Sequence, residues 1–553
     1  MKDVVSYSFG KVSKNDLGGQ ASLSSWVQLT KDSRDASSNS IYLKVMIENT
    51  SDAMKETATN QFSIVNETVN ARCFFGVQIL VKSKHLKRYR KFSENSSSDE
   101  EAQQLNYLYR KIEDFGVGHL CSVQWDPSNN SIWTEFMPEC DVPDVDTKPQ
   151  KVITENGIQE LEDRIPDIKY LEFYTLSSFS KESDADIING LNSFVDAYNE
   201  WIKEQVEACH FDYIRMKKNI DILKNQNAMI AFRFMNTAMF MQLWHSSIDN
   251  RRQITPRQRI LRPNFYDTII ASASFKPAWR SFQLAFIILN LDGIICREDD
   301  PSWDARNKMV DLVWFPTGGG KTEAYLGIIA FCILNRRLTQ KESGGTTAIM
   351  RYTLRLLATQ QFQRATRLIL ALESIRQWDE NKFGKTPINI GLYVGKDSLP
   401  NSAEGLKDEA KKWLEDKPSQ IPLDRHECPW CGSRLTWKAD DKKFACTNAF
   451  CFHKELPILL CDDYLYKTPP TLLFGTVDKF AQLAHSVSSE ASKDSRRLFN
   501  WKGLTPDLII QDELHLLSGP LGSAVGLFEC AIDQLCTRLV KTGKSEIKVR
   551  PKI

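Results

Sequence analysis

Three consecutive glycines followed by Lys321-Thr322 separate an apolar run at 310–315 from a stretch whose apolar residues recur at helical spacing, in VDLVWFPTGGGKTEAYLGIIAF. Strand, glycine turn and helix in that order make half of a βαβ unit, because glycine tolerates the left-handed backbone that so abrupt a reversal needs. A helix that begins this way points unpaired N–H groups and the positive end of its dipole at the turn, an arrangement suited to phosphate. Thr317, Gly318, Gly319 and Gly320 would then wrap the phosphates of ATP, and Lys321 would reach its β- and γ-oxygens. The Thr322 hydroxyl would ligate Mg²⁺.

A parallel α/β sheet is the architecture that such a unit builds. Runs at 310–315, 346–352, 388–394, 471–476 and 507–511 are rich in Val, Ile, Leu or Phe and alternate with helical patterns. Near-continuous apolar strands are expected where helices cover both faces, so the predicted fold is a doubly wound, RecA-like sheet over 263–553. At the end of the last run, LIIQDELHLLSG sets Asp512 and Glu513 at a strand's carboxyl end, where open α/β sheets place their sites. Asp512 would hold Mg²⁺, and Glu513 would orient or deprotonate the attacking water. PTGGGKT has the local form seen in superfamily 2 motors, with Phe315 where the general pattern has its first glycine, and Asp-Glu-Leu-His resembles a DExH box. His515 would couple the nucleotide to a facing lobe; a plain structural histidine is the alternative.

Other residues are placed by their distance from these motifs. Gln283 precedes the glycine turn where superfamily 2 proteins carry an adenine-reading glutamine, with a helix-capping or solvent-facing role as the rival. Arg351, Thr353 and Arg355 follow the second strand, and Thr476 and Lys479 end the fourth, as candidate contacts to a nucleic-acid backbone. A solvated helix face is the bland reading of the first three. Basic stretches at 82–91 and 251–262 could draw phosphate or be ordinary surface.

Cys428 and Cys431 are two residues apart, and Cys446 and Cys451 follow after fourteen more and are four apart, in HECPWCGSRL and FACTNAFC. Four thiolates at such spacing predict a structural, tetrahedral Zn²⁺ in a ribbon-like insertion at 425–462, with Cys461, His426 or His453 able to replace one ligand. The amino-terminal MKDVVSYSFG shows no secretory pattern, so a reducing cytoplasmic compartment is expected, with thiols rather than disulfides. The apolar stretches at 228–244 and 282–296 are broken by Arg233, Asn290 and Asp292, which argues against membrane spans. A net charge of +1 leaves no global pull toward nucleic acid, so any basic surface must be local.

Upstream of the sheet, residues 1–145 alternate short β-like runs with polar clusters and predict an α+β or mostly β domain. Residues 146–262 carry helix-period patterns such as Ile187, Leu191, Phe194, Val195, Tyr198 and Ile202.

Together FQLAFIILNL, the glycine-turn segment, MRYTLRLLATQQFQRA, FGTVDKFAQLA and QDELHLLSGPLGS resemble the helicase component of DISARM-type bacterial phage-defence systems. The resemblance runs from about residue 275 onward and includes the four cysteines, while FGVGHLCSVQWD and TEFMPECDVP resemble that family's amino-terminal region. It implies an ATP-driven DNA helicase or translocase that works with a companion DISARM protein. KVRPKI ends where a sixth strand would lead to a second lobe, so the expectation is a chain carrying the first motor lobe only, weakly active until another chain supplies the second. The competing expectations are a non-catalytic nucleic-acid adaptor that binds ATP and zinc, and an RNA helicase of the same superfamily.

Overall fold

The structure, a computed structural model, describes residues 5–7, 23–31, 41–51, 73–74, 77–87, 114–137, 151–154, 157–160, 167–203, 210–247, 266, 275–295, 309–313, 320–353, 355–424, 427–438, 443–485, 490, 494–517, 519–542 and 545–553. It comprises two compact units, Met1–Asp144 and Val145–Ile553.

The first unit is antiparallel β throughout its described strands. Strands β1 (Val5–Tyr7), β2 (Leu23–Lys31) and β3 (Ile41–Asn49) pair in chain order. Strands β4 (Leu80–Lys82), β5 (Ser122–Asp126) and β6 (Ser131–Glu135) form a second sheet in the order β4-β6-β5. The β5–β6 hairpin turns through Asn130 at φ 52°, a left-handed position that asparagine tolerates. Asp126 closes the same turn by accepting from the Ser128 N–H at 2.9 Å.

The second unit opens with a hairpin of β7 (Lys151–Thr154) and β8 (Gly157–Glu160). Helices α1 (Asp184–Lys203), α2 (His210–Ile222), α3 (Gln226–Trp244) and α4 (Ser281–Leu289) follow. Then come α5 (Lys321–Thr339), β9 (Ala348–Tyr352), α6 (Arg355–Trp378), β10 (Ile390–Tyr393) and α7 (Ala403–Leu414). A short antiparallel pair, β11 (Leu435–Lys438) and β12 (Lys443–Cys446), precedes β13 (Ile458–Leu459) and α8 (Asp462–Lys467). The unit continues with β14 (Leu472–Thr476), α9 (Val477–Ala481), β15 (Leu508–Gln511), α10 (Gly519–Cys536), and a hairpin of β16 (Arg538–Thr542) and β17 (Ser545–Val549).

Five strands form one parallel sheet in the order β13-β10-β14-β9-β15. Alternation sorts its side chains onto two faces. Ala348, Met350, Tyr352, Leu472, Phe474 and Leu508 join one apolar core with α3, α5 and α6. Ile349, Leu473 and Ile509 join another with Phe480 of α9 and Ile532 and Cys536 of α10. Helices therefore cover both faces, which is why the strands read as unbroken apolar runs.

One expectation changes. Residues 309–313 form no ladder strand; Asp311 N–H reaches the Ile553 carbonyl at 3.2 Å, while Lys552 bridges to Leu508 in parallel. The fifth strand is instead the two-residue β13, too short to leave a periodic signal. Helix α3 buries most of its length, Phe232, Met235 and Met239 included, and shares its core with α5 and the sheet. A helix apolar all round belongs inside a larger core.

A buried charge cluster joins these parts. Arg215 of α2 pairs with Asp292 at 3.0 Å and Asp311 at 2.5 Å, and Lys552, fully buried, reaches Asp311 at 2.6 Å. Burial alone would raise the Asp311 carboxyl, but hydrogen bonds from Arg215 and Lys552 outweigh it and hold the group below its ordinary range. The cluster fixes the backbone that leads into residues 314–319, which lie outside the described residues.

Candidate functional site

The site lies where the amino end of α5 meets the carboxyl ends of β9 and β15. Gly320 caps α5 with φ 87° and ψ 25°, left-handed geometry that glycine adopts without strain. A Cβ there would sit 2.8 Å from Gln283 Nε2 and 3.2 Å from Arg280 Nη1, so a side chain would have to displace the Gln283 amide as well as adopt the left-handed φ. Lys321 and Thr322 begin a nineteen-residue helix whose first backbone N–H groups face the turn. Glu323, on the same turn, is held by Arg364 of α6. Thr317, Gly318 and Gly319 lie outside the described residues.

Gln283 is 4% exposed and engaged at both ends of its amide. Its Oε1 accepts from the Arg280 N–H at 2.9 Å, closing the amino end of α4, and its Nε2 donates to the Gly320 carbonyl at 2.7 Å. The helix-capping reading describes this geometry, and the amide braces the glycine turn against α4.

Asp512 is buried at the end of β15, where its N–H donates to the Arg351 carbonyl at 3.0 Å and its Oδ1 accepts from the Glu513 N–H at 2.9 Å. Glu513 is a non-glycine residue at φ 51° and ψ 44°. That conformation costs about 1–2 kcal/mol. Its Oε2 lies 3.4 Å from His515 Nδ1, and the His515 ring is 70% exposed. Two tyrosines that sequence reasoning missed stand beside these acids. Burial, then the charges of Asp512 and Glu513, push the Tyr325 phenol of α5 well up; burial and Asp512 do the same to Tyr352 of β9. Strand alternation, carried from Met350 through Tyr352 and from Ile510 to Asp512, was the signal available for Tyr352.

The candidate backbone contacts fare differently. Arg351 is 4% exposed and ion-paired with Glu529 of α10. Lys479 is 1% exposed, bonded to Asp462 at 2.8 Å and Asn401 at 3.1 Å, with its ammonium 5.0 Å from the Tyr393 ring. Thr476 is fully buried. These three groups serve the interior: Glu529 of α10 engages Arg351, Asp462 of α8 and Asn401 engage Lys479, and Thr476 is wholly covered. Thr353 is half-buried just past β9; Arg355 begins α6, and its side chain lies outside the described residues. Lys82, Lys84 and Lys87 of the first unit are not buried, whereas 88–91 and 251–262 lie outside the described residues.

The four cysteines come together. The sulphurs of Cys428, Cys431, Cys446 and Cys451 all lie within 4.8 Å of one another and all four residues are buried. Zn–S bonds of about 2.3 Å place tetrahedral sulphurs roughly 3.8 Å apart, so this donor set could hold zinc in a closed shell. Gly432 at φ 71° turns the first knuckle, where its N–H donates to the Cys428 carbonyl at 2.9 Å. The rival ligands are engaged elsewhere: His453, pushed down to about 4 by burial, lies 2.9 Å from the Ser374 hydroxyl. Cys461 stands at the start of α8, its thiol pushed up to about 12 by burial. His426 lies outside the described residues. Trp430, between the first two cysteines, stacks on His245 at 3.7 Å between centroids, and its carbonyl lies 2.6 Å from His245 Nδ1. The cysteine module is thereby docked on the end of α3.

Among the described residues no helix is long and apolar enough to cross a membrane. No family model matches the chain. It is 32% identical over 515 aligned residues to the DISARM protein DrmA of Bacillus paralicheniformis, a match that covers 80% of this chain and 44% of that protein. The chain thus spans less than half the length of the relative it matches. A likeness that takes in four-fifths of the residues makes this a DrmA-like chain.

Proposed function

We propose that this chain carries the ATP-binding lobe of a DISARM anti-phage component, an ATP-dependent DNA helicase or translocase of superfamily 2, with a RecA-like sheet and a zinc ribbon. The observation that carries the reading is a glycine-capped helix, α5, whose first turns bring Tyr325 within reach of the charges of Asp512 and the strained Glu513 at the carboxyl end of β15. The residues fit a magnesium nucleotide. Gly318, Gly319, Gly320 and Lys321 would hold the phosphates, with Thr317 at the turn's start, and Thr322 and Asp512 would hold Mg²⁺, which neutralises charge on the leaving phosphoryl. Glu513 would align water. Gln283 would secure the loop, and an adenine contact could use only what its two internal bonds leave over. The exposed His515 faces outward, where a second lobe, in this or another polypeptide, would complete the site. Arg355 remains the proposed contact to DNA, since the Thr353 hydroxyl is buried. The cytoplasm, phage DNA and a companion DISARM protein complete the proposed setting.

Hydrolysis stimulated by nucleic acid tests the motor reading. Mg²⁺-dependent ATP hydrolysis should rise several-fold with DNA and less with RNA of the same sequence, assayed on this chain alone and with companion polypeptides. Equal stimulation by RNA would favour the RNA helicase, and ATP binding without hydrolysis in any combination would favour the adaptor.

A further inference from the structure

Three buried hydroxyls at the carboxyl ends of β9 and β14 lack a well-formed hydrogen bond: Tyr352 Oη, Thr353 Oγ1 and Thr476 Oγ1. Tyr352 and Thr476 are register partners on adjacent strands and so share one face. Thr476 stands at the start of α9 yet makes no side-chain cap, so its hydroxyl has no local employment. A buried hydroxyl without a partner costs about 1–3 kcal/mol, and native proteins keep such groups where water or an ion completes them.

Tyr352 is held rigidly. It is 1% exposed, and its ring stacks on Phe474 with centroids 5.0 Å apart and planes 20° apart. Phenylalanine would make the same stack, so packing does not account for the oxygen. Asp512 follows β15 directly beside this residue: its N–H bonds to the Arg351 carbonyl, and alternation from Leu508 and Ile510 turns its side chain to the α5 face that Tyr352 also occupies. The same register sets the Asp512 carboxylate beside the phenol, with no hydrogen bond of good geometry between the two.

We propose that Tyr352 is a positioning residue whose hydroxyl orients the Asp512 carboxylate and the water shell of the divalent cation it receives, with the Thr476 hydroxyl behind it. The inference rests on reading this site as a magnesium-nucleotide site. Donors that stand behind a metal ligand fix its orientation and sharpen affinity for the ion.

Tyr352→Phe in the full chain tests it. With a fluorescent ADP analogue, the variant should need about tenfold more Mg²⁺ for half-maximal binding, while its magnesium-free nucleotide affinity stays at the wild-type value. Its thermal midpoint without nucleotide should be unchanged or higher, since an unpartnered buried oxygen is gone. Thr476→Val should shift the Mg²⁺ requirement in the same direction by less. An unaltered Mg²⁺ requirement in a Tyr352→Phe protein that binds nucleotide normally would overturn the proposal and leave the nucleotide site standing. A lower midpoint together with weaker magnesium-free binding would overturn it in favour of a packing role. Wild-type protein that binds no nucleotide would overturn both readings.

Discussion

Glu513→Gln is expected to bind ATP as wild type does and to hydrolyse it at least about 10²-fold more slowly. The substitution keeps shape and volume but removes the basic oxygen that would orient or deprotonate water. The held conformation of Glu513, at φ 51°, belongs to the backbone between β15 and the following turn, where the Asp512 side chain accepts its N–H at 2.9 Å. Glutamine should adopt it with comparable strain, so binding through Lys321 and Asp512 should persist. Single-turnover hydrolysis of radiolabelled ATP, beside equilibrium binding, separates the outcomes. Unchanged hydrolysis would place the base elsewhere, and loss of binding would make Glu513 a structural residue.

Cys428→Ser carries the second large effect. The four sulphurs within 4.8 Å predict one zinc per chain, and the variant should lose it. Metal binding by such modules is coupled to their folding with apparent free energies on the order of 10 kcal/mol, so the module should open rather than merely loosen. The damage should spread, because Trp430 lies between two of the cysteines and stacks on His245 beside α3, whose other side chains join the core under the parallel sheet. Zinc content, native thiol titration and the thermal midpoint check this. A variant with full zinc content and an unchanged midpoint would mean that the cluster is not a metal site.

Local order was the part of the molecule most legible in the residues. The β-rich runs around 348–352, 390–393, 472–476 and 508–511 became parallel strands because helices on both faces demand apolar residues at every position. The cysteine spacing placed four sulphurs together because a knuckle and a short hairpin need little else. What the residues did not disclose was which helix lies over which strand end. Arg351 and Lys479 occupy places where a backbone-binding cation could stand, yet α10 supplies Glu529 to one and the start of α8 supplies Asp462 to the other. Both carboxylates are far away in the chain or on another element, so spacing along the sequence says nothing of them. The same limit explains Gln283, whose distance from the glycine turn fits an adenine contact but whose amide folds back on Arg280 and Gly320. It also explains α3: a helix with no polar face belongs to a core, but only the tertiary structure shows that the core is shared with α5.

Whether this is a nucleotide site at all is decided by equilibrium binding of ATP to the purified chain, with and without Mg²⁺ and beside Lys321→Ala. Wild type should bind saturably and more tightly with Mg²⁺, and the variant at least about tenfold more weakly, the loss expected for a charge-assisted bond to phosphate. Equal affinities in the two proteins, or no binding by either, would contradict the phosphate-binding role of the glycine turn and α5.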